Sequence, residues 1–163
     1  MAGGLGDDRY LVDDAGDVVT ELVDQGTDAV ESAISYQLPA NVEHLTLTGT
    51  AAVDGTGNSL NNVLTGNSGI NVLTGGAGND TLTGPASDDS LYGEDGNDSV
   101  VAGDGNDQLF GGNGSDTLDG GNGNDRVNGQ NDSGDVLTGG TGADTLDGGT
   151  GNDIIAEIVS AAR

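Results

Sequence analysis

Residues 111–125 read GGNGSDTLDGGNGND: a glycine pair, a third glycine, an aspartate and one leucine, after which the pattern restarts. Taking Asp or Asn two places before a branched apolar residue as the marker extends this register both ways. The markers are Asn62, Asn71, Asp80, Asp89, Asp98, Asp107, Asp116, Asp125, Asp135, Asp144 and Asp153. Every step is nine residues except the ten from Asp125 to Asp135. The apolar partners are Leu64, Leu73, Leu82, Leu91, Val100, Leu109, Leu118, Val127, Leu137, Leu146 and Ile155. Chance does not hold such a register, and a fixed period signals stacked repeats.

Each unit has two parts. Gly111–Asp116 is made of turn-forming residues, with glycines able to take the positive φ of tight turns. Thr117-Leu118-Asp119 alternates polar, apolar, polar, as a short strand with one side inward does. One turn plus one strand reverses the chain once, so two units make a coil of 18 residues. Stacked coils then form two parallel sheets with a single Leu or Val per unit between them. No coil buries its leucine alone, so stacking supplies the stability.

Residues 1–61 keep the rhythm loosely. Gly3–Leu11 (GGLGDDRYL) is one full unit. Asp17-Val18-Val19 and Asp28-Ala29-Val30 suggest further strands, and Ala33–Leu38 and Glu43–Thr48 alternate as longer ones. This part is expected to be an irregular, capping stretch of the same solenoid, followed by the regular repeats over 62–156 and a tail over 157–163. A short amphipathic helix over Val23–Ile34 is the weaker alternative, given Gly26, Thr27 and Val30. The tail leaves open whether Ile154–Val159 caps the stack or pairs with another chain, since an open sheet end invites association.

Composition narrows the function. The 163 residues hold 32 Gly, 28 Asp plus Glu and 3 Lys plus Arg, for a formal charge of -25. A chain so poor in bulk cannot build one thick core, and needs some non-hydrophobic staple. Its charge opposes nucleic acid and anionic membranes and favours cations. There is no cysteine, so neither disulfides nor thiolate sites. No apolar run is long enough for a membrane span. The start MAGGLGDDRY lacks the basic and apolar regions of a cleavable signal peptide. Export would then use another route, or the chain is a piece of something longer.

Aspartates 18 apart, such as Asp80, Asp98 and Asp116, stack one coil apart, at ~4.8 Å. Two carboxylates at that separation repel by about 1 kcal/mol even in water. A cation reverses the sign. Calcium takes six to eight hard oxygens, which carboxylates and the carbonyls of glycine-rich turns provide, whereas magnesium keeps its waters. Zinc lacks its preferred ligands, with His44 the lone histidine. The plainer view, that Gly, Asn and Asp merely form turns, explains the glycines but not the aspartate spacing.

The nonapeptide GGxGxDxUx, with U a large apolar residue, resembles the repeat of RTX (repeats-in-toxin) proteins. Gly75–Thr83, Gly111–Asp119, Gly120–Asn128, Gly139–Asp147 and Gly148–Ala156 match it fully. The resemblance implies an all-β, right-handed parallel β-roll stapled by several calcium ions, each six-residue turn giving half a site completed by the turn 18 residues on. The implied metal residues are Gly75, Gly76, Gly78, Asp80, Asp89, Gly93, Gly96, Asp98, Gly103, Gly105, Asp107, Gly111, Gly112, Gly114, Asp116, Gly120, Gly121, Gly123, Asp125, Asp135, Gly139, Gly140, Gly142, Asp144, Gly148, Gly149, Gly151 and Asp153. Four turns depart from the pattern. In Gly84–Asp89 the fourth position is Ser87, expected to resist a glycine-like backbone. Gly57–Asn62 and Gly66–Asn71 end in neutral Asn. The turn before Asp135 carries an insertion, expected as a bulge. Asp8 with Asp28 suggests a further site at the front.

Such proteins generally leave the cell by type I secretion, which implies a calcium-binding module that folds outside the cell. An adhesion or polysaccharide-binding module, or an accessory domain of an exported protease, lipase or alginate epimerase, are alternatives. Ten residues from Ile154 onward are short for the export signal such proteins carry, which suggests a fragment. Tyr92 and Phe110 should stack outward on adjacent coils, by cross-strand packing or as a ligand platform. Tyr10 is expected in the core and Tyr36 in the core or cap, with His44 and Arg126 facing outward. No catalytic constellation is present: the Ser and Thr residues have no base at a sensible spacing, and HExxH is absent. No enzyme activity is expected of this chain.

Overall fold

A computed structural model describes residues 1–131 and 134–156. Within them lie sixteen short strands: β1 Arg9–Val12, β2 Ala29–Ser32, β3 Tyr36–Gln37, β4 His44–Leu47, β5 Gly55–Thr56, β6 Val63–Thr65, β7 Val72–Ala77, β8 Thr81–Thr83, β9 Ser90–Asp95, β10 Ser99–Val101, β11 Gln108–Asn113, β12 Thr117–Asp119, β13 Arg126–Asn131, β14 Val136–Thr138, β15 Thr145–Asp147 and β16 Ile154–Ala156. Among the described residues there is no helix, and Val23–Ile34 instead contains β2.

The strands form two sheets. One is nine-stranded, in the order β1-β2-β4-β6-β8-β10-β12-β14-β16, and the other seven-stranded, β15-β13-β11-β9-β7-β5-β3. All named pairings are parallel. The register follows the repeat: Leu82 lies beside Val100 and Val100 beside Leu118. The insertion changes it by one residue, so Leu118 pairs with Leu137 and Val127 with Leu146. The result is a parallel β-solenoid of about eight turns with roughly 18 residues per coil.

A single column of side chains fills the space between the sheets. Leu64, Leu73, Leu82, Leu91, Val100, Leu109, Leu118, Val127 and Leu137 are all fully buried. The column continues into the irregular coils through Tyr10, Val12, Val30, Val42, Leu45 and Leu47. Strands on either side of residue 62 therefore share both sheets and one core. At the far end β16 has only β14 beside it, and Ile154 and Ile155 are exposed. Residues 157–163, and with them the end of Ile154–Val159, lie outside the described residues.

The irregular half departs from the sequence expectation in detail. Asp17–Val19 is not a strand, although Val19 is buried in the core while Val18 is exposed. Ala33–Leu38 shortens to β3, because Ser32 turns its hydroxyl back to the carbonyl of Ile34 (2.7 Å) and bends the chain there. Tyr36 is partly buried against the core. His44 is half-buried rather than fully solvated, and Arg126 is exposed. Strands of the seven-stranded sheet also run on into the glycine turns, as in β7, β9, β11 and β13, where sequence alternation alone marks three residues.

Candidate metal centre

The repeat aspartates are not on a solvated edge. Asp80, Asp89, Asp98, Asp107, Asp116, Asp125 and Asp135 are all buried. Their two oxygens have different fates. Oδ1 accepts the backbone N–H of the marker one coil earlier: Asn62 to Asp80 (2.7 Å), Asp80 to Asp98 (2.7 Å), Asp98 to Asp116 (2.8 Å) and Asp116 to Asp135 (2.8 Å). The other edge repeats this from Asn71 to Asp89 (2.8 Å), Asp89 to Asp107 (2.7 Å), Asp107 to Asp125 (2.9 Å) and Asp125 to Asp144 (3.0 Å). Oδ2 of Asp80, Asp89, Asp98, Asp107, Asp116, Asp125 and Asp144 is buried with no hydrogen-bond partner. A buried carboxylate oxygen without a donor or cation is costly.

The glycines explain where these oxygens point. A Cβ on Gly120, the first residue of its unit, would lie 2.6 Å from Asp125 Oδ2 and 2.7 Å from the carbonyl oxygen of Gly139 in the next coil. A side chain there would occupy the space on which a carboxylate and a carbonyl converge. Gly75, Gly93 and Gly111 present the same pair, from their own aspartates and from the carbonyls of Gly93, Gly111 and Gly129. Gly84, Gly139 and Gly148 face Oδ2 of Asp89, Asp144 and Asp153, at 2.5, 2.6 and 2.5 Å. The second and fourth glycines act differently. Gly76, Gly78, Gly96, Gly103, Gly105, Gly112, Gly114, Gly121, Gly123, Gly140, Gly142, Gly149 and Gly151 all have positive φ. Beside Gly96, Gly114, Gly123 and Gly142 a Cβ would strike a carbonyl of the preceding coil. The turns thus stack with carbonyls close together, and the donor set is hard oxygen throughout. Such a set fits calcium.

The irregular turns keep much of this geometry. Ser87 does not resist the fourth-position backbone: it takes φ 77°, and its hydroxyl donates to the Ser68 carbonyl (2.9 Å). Asp89 keeps its buried, unpartnered Oδ2. Around the insertion, Asp135 keeps its place in the ladder, donating to Asp153 Oδ1 at 3.2 Å. The expected bulge falls on Asp132 and Ser133, which lie outside the described residues.

The two Asn markers differ chemically. Asn71 Nδ2 donates to the Val53 carbonyl (2.6 Å), and Asn62 Nδ2 to those of Val42 (3.3 Å) and Glu43 (3.2 Å). Asn58 and Asn67 add amide bonds to the carbonyls of Pro39, Val42, Thr48 and Ala51. In these coils an amide takes the carbonyls of the coil before, and no buried side-chain oxygen of the Asn markers is stranded. Sequence reasoning also missed the fifth position of the unit. There Asn61, Asn79 and Asn97 accept the N–H of Asn79, Asn97 and Ser115, each at 2.8 Å, as an exposed second ladder. The recurrence of Asn at that position was its signal.

Burial sets the charge state. It raises the carboxyls of Asp80, Asp89, Asp98, Asp107 and Asp116 from 3.8 to about 6, opposed by the backbone N–H each accepts. Asp125 moves the same way for the same reason. Tyr92 and Phe110 stack as expected, with centroids 5.0 Å apart and planes 5° apart.

Comparison with known proteins agrees with this geometry. A family model described as the RTX calcium-binding nonapeptide repeat matches in four copies, over residues 56–91, 81–109, 101–134 and 130–156. Two proteins of Rhizobium meliloti (strain 1021) are similar over part of the chain. Endo-1,3-1,4-beta-glycanase ExsH is 38% identical over 64 residues, covering 39% of this chain and 14% of that protein. Endo-1,3-1,4-beta-glycanase EglC is 39% identical over 65 residues, covering 40% and 14%. The aligned part is thus a small fraction of each relative.

Proposed function

The chain belongs to the RTX calcium-binding nonapeptide repeat family, and from that premise we propose that it is a non-catalytic module whose folding is driven by calcium outside the cell. The observation that carries this is the row of buried Oδ2 atoms, set beside the first glycine of the turn in every repeat from Asp80 to Asp125 except that of Asp107, which begins with Ala102. The 28 residues singled out from the sequence supply the ligands: carboxylates at the marker positions, carbonyls from the turns. The units are an irregular front over 1–61, the repeats over 62–156 and a tail beyond. Calcium is scarce in the cytoplasm and abundant outside, and a ligand that binds only the native state stabilises it by RT ln(1 + [L]/Kd) per site. The same logic favours secretion as a loose chain followed by folding on exit.

The test is far-UV circular dichroism during a calcium titration of chelated protein, with magnesium as control. A cooperative coil-to-β transition with calcium alone is expected. Full β-structure in chelator, unchanged by calcium, would overturn the proposal. A second role follows from the two relatives named as glycanases: this stretch serves as an accessory domain of an exported enzyme acting on polysaccharide. Fusion to a reporter enzyme tests it, with export of the fusion as the readout.

A further inference from the structure

The front of the solenoid, outside the residues matched to the repeat family, holds a cluster of different make. Asp8 lies just before β1, Asp28 just before β2, and Glu21 on the irregular segment between them. One carboxylate oxygen from each lies within 4.8 Å of the others. That is about the span of oxygens around one ion with bonds of ~2.3–2.6 Å. Glu21 is 5% exposed and Asp28 1%. Glu21 Oε1 takes the Tyr10 hydroxyl and the Gly3 N–H (3.1 Å). Its other oxygen, like Asp8 Oδ2, is buried with no hydrogen-bond partner. Asp28 Oδ1 accepts the Asp8 N–H (2.9 Å), which locks the two loops together. A Cβ on Gly3 would collide with both the Asp8 carboxylate and the Tyr10 hydroxyl, so a glycine there lets them sit side by side.

Among the described residues no basic side chain is paired with this cluster. Arg9 faces outward in an ion pair with Glu31, and Arg126 lies many coils away, in β13. Three carboxylates that close, two of them buried, require a counter-charge. The donors are hard oxygens and include no thiolate, which excludes a zinc-type set. A cage built mostly from protein oxygens suits calcium better than magnesium.

We propose that Asp8, Glu21 and Asp28 form a calcium site at the front of the solenoid, before the regular repeats, with Tyr10 and Gly3 holding Glu21 in place. It staples the first coil to the second at the open end of the nine-stranded sheet. It differs from a repeat site in adding Glu21, a carboxylate outside the register, to the two marker aspartates Asp8 and Asp28.

The test counts bound calcium on the full chain by native mass spectrometry, for the parent and for Glu21→Gln. The variant is expected to bind one ion fewer while keeping its β-sheet signal at saturating calcium. An unchanged count in the folded variant overturns the site. Should Glu21→Gln fold poorly, Asp8→Asn, at a less buried position, decides by the same count. A second readout uses terbium in place of calcium. Tyr10 sits against the cluster, so Tyr10→Phe should remove most of the tyrosine-sensitised emission that Glu21→Gln also removes. Undiminished emission in both overturns the proposal. If the repeats bind no calcium, a single remaining ion that disappears in Glu21→Gln still supports this site while removing the function proposed above.

Discussion

An aspartate of the repeat has two oxygens in unlike settings, and its chemistry follows from that difference. Oδ1 is satisfied by a backbone N–H, while Oδ2 is buried without a donor. Asp98→Asn keeps the acceptor and puts an amide where Oδ2 was, as Asn71 does one edge over. The chelated variant is therefore expected to be more stable by about 1–3 kcal/mol, with weaker calcium response. Urea unfolding in chelator checks the first part, and calcium titration the second. Asn71→Asp should do the reverse. The pH dependence follows the same logic. Because burial raises these carboxyls from 3.8 to about 6, the folded chain holds more protons than the unfolded chain between those values, and stability falls as pH rises. In chelator the fold should be most stable below about pH 4 and lose that contribution as pH rises through about 6. Calcium affinity should run the other way, weakening as pH falls through about 6, because protons compete for Oδ2. Thermal melts and calcium titrations across this range check both.

At the scale of the element, each coil is a pair of short strands joined by turns that admit no side chain at fixed points. Gly123 has φ 142° and lies against the carbonyl of Gly105. Gly49 has φ 78° with open space around it. Gly49→Ala should cost about 1–2 kcal/mol for the left-handed backbone alone. Gly123→Ala should cost more, since the two coils must also separate, and should disturb calcium binding by the turns it joins. Chemical denaturation of both variants in saturating calcium measures the contrast. Leu109 is fully buried between Leu91 and Val127, and Leu109→Ala should lose about 2–5 kcal/mol by the same measurement.

Across the whole molecule, the coils differ in what holds them. The repeats after Gly75 carry stranded carboxylate oxygens, while the coils joined by Asn58, Asn62, Asn67 and Asn71 are closed by amides. Chelation should therefore strip amide-exchange protection most from residues 75–156 and least from 42–74. Uniform loss along the chain would mean that the coils fold as one unit despite this difference. Stability summed over neighbours is the general expectation for a solenoid.

Much of this was open to view in the sequence. A leucine or valine every nine residues names the core column directly, because a two-residue alternation beside a glycine turn leaves one inward position per unit. Asp80 to Asp153 were identifiable by spacing, and Asp8 with Asp28 through the front unit GGLGDDRYL. The direction of the carboxylates was not, since only the stacked turns determine that Oδ1 meets a backbone N–H while Oδ2 turns to the first residue of its unit, a glycine in all of them but that of Asp107. The strand expected at Asp17–Val19 failed for a similar reason: Val19 reaches the core from an irregular segment, and local alternation does not register that. Glu21 was invisible because no period links it to Asp8 and Asp28. The register of this chain determined its coils, its core and its class of ligand, because those depend on local repetition. Which oxygens are stranded, which amides replace a cation and which three carboxylates meet at the front were decided by contacts between coils, and those exist only once the chain is stacked.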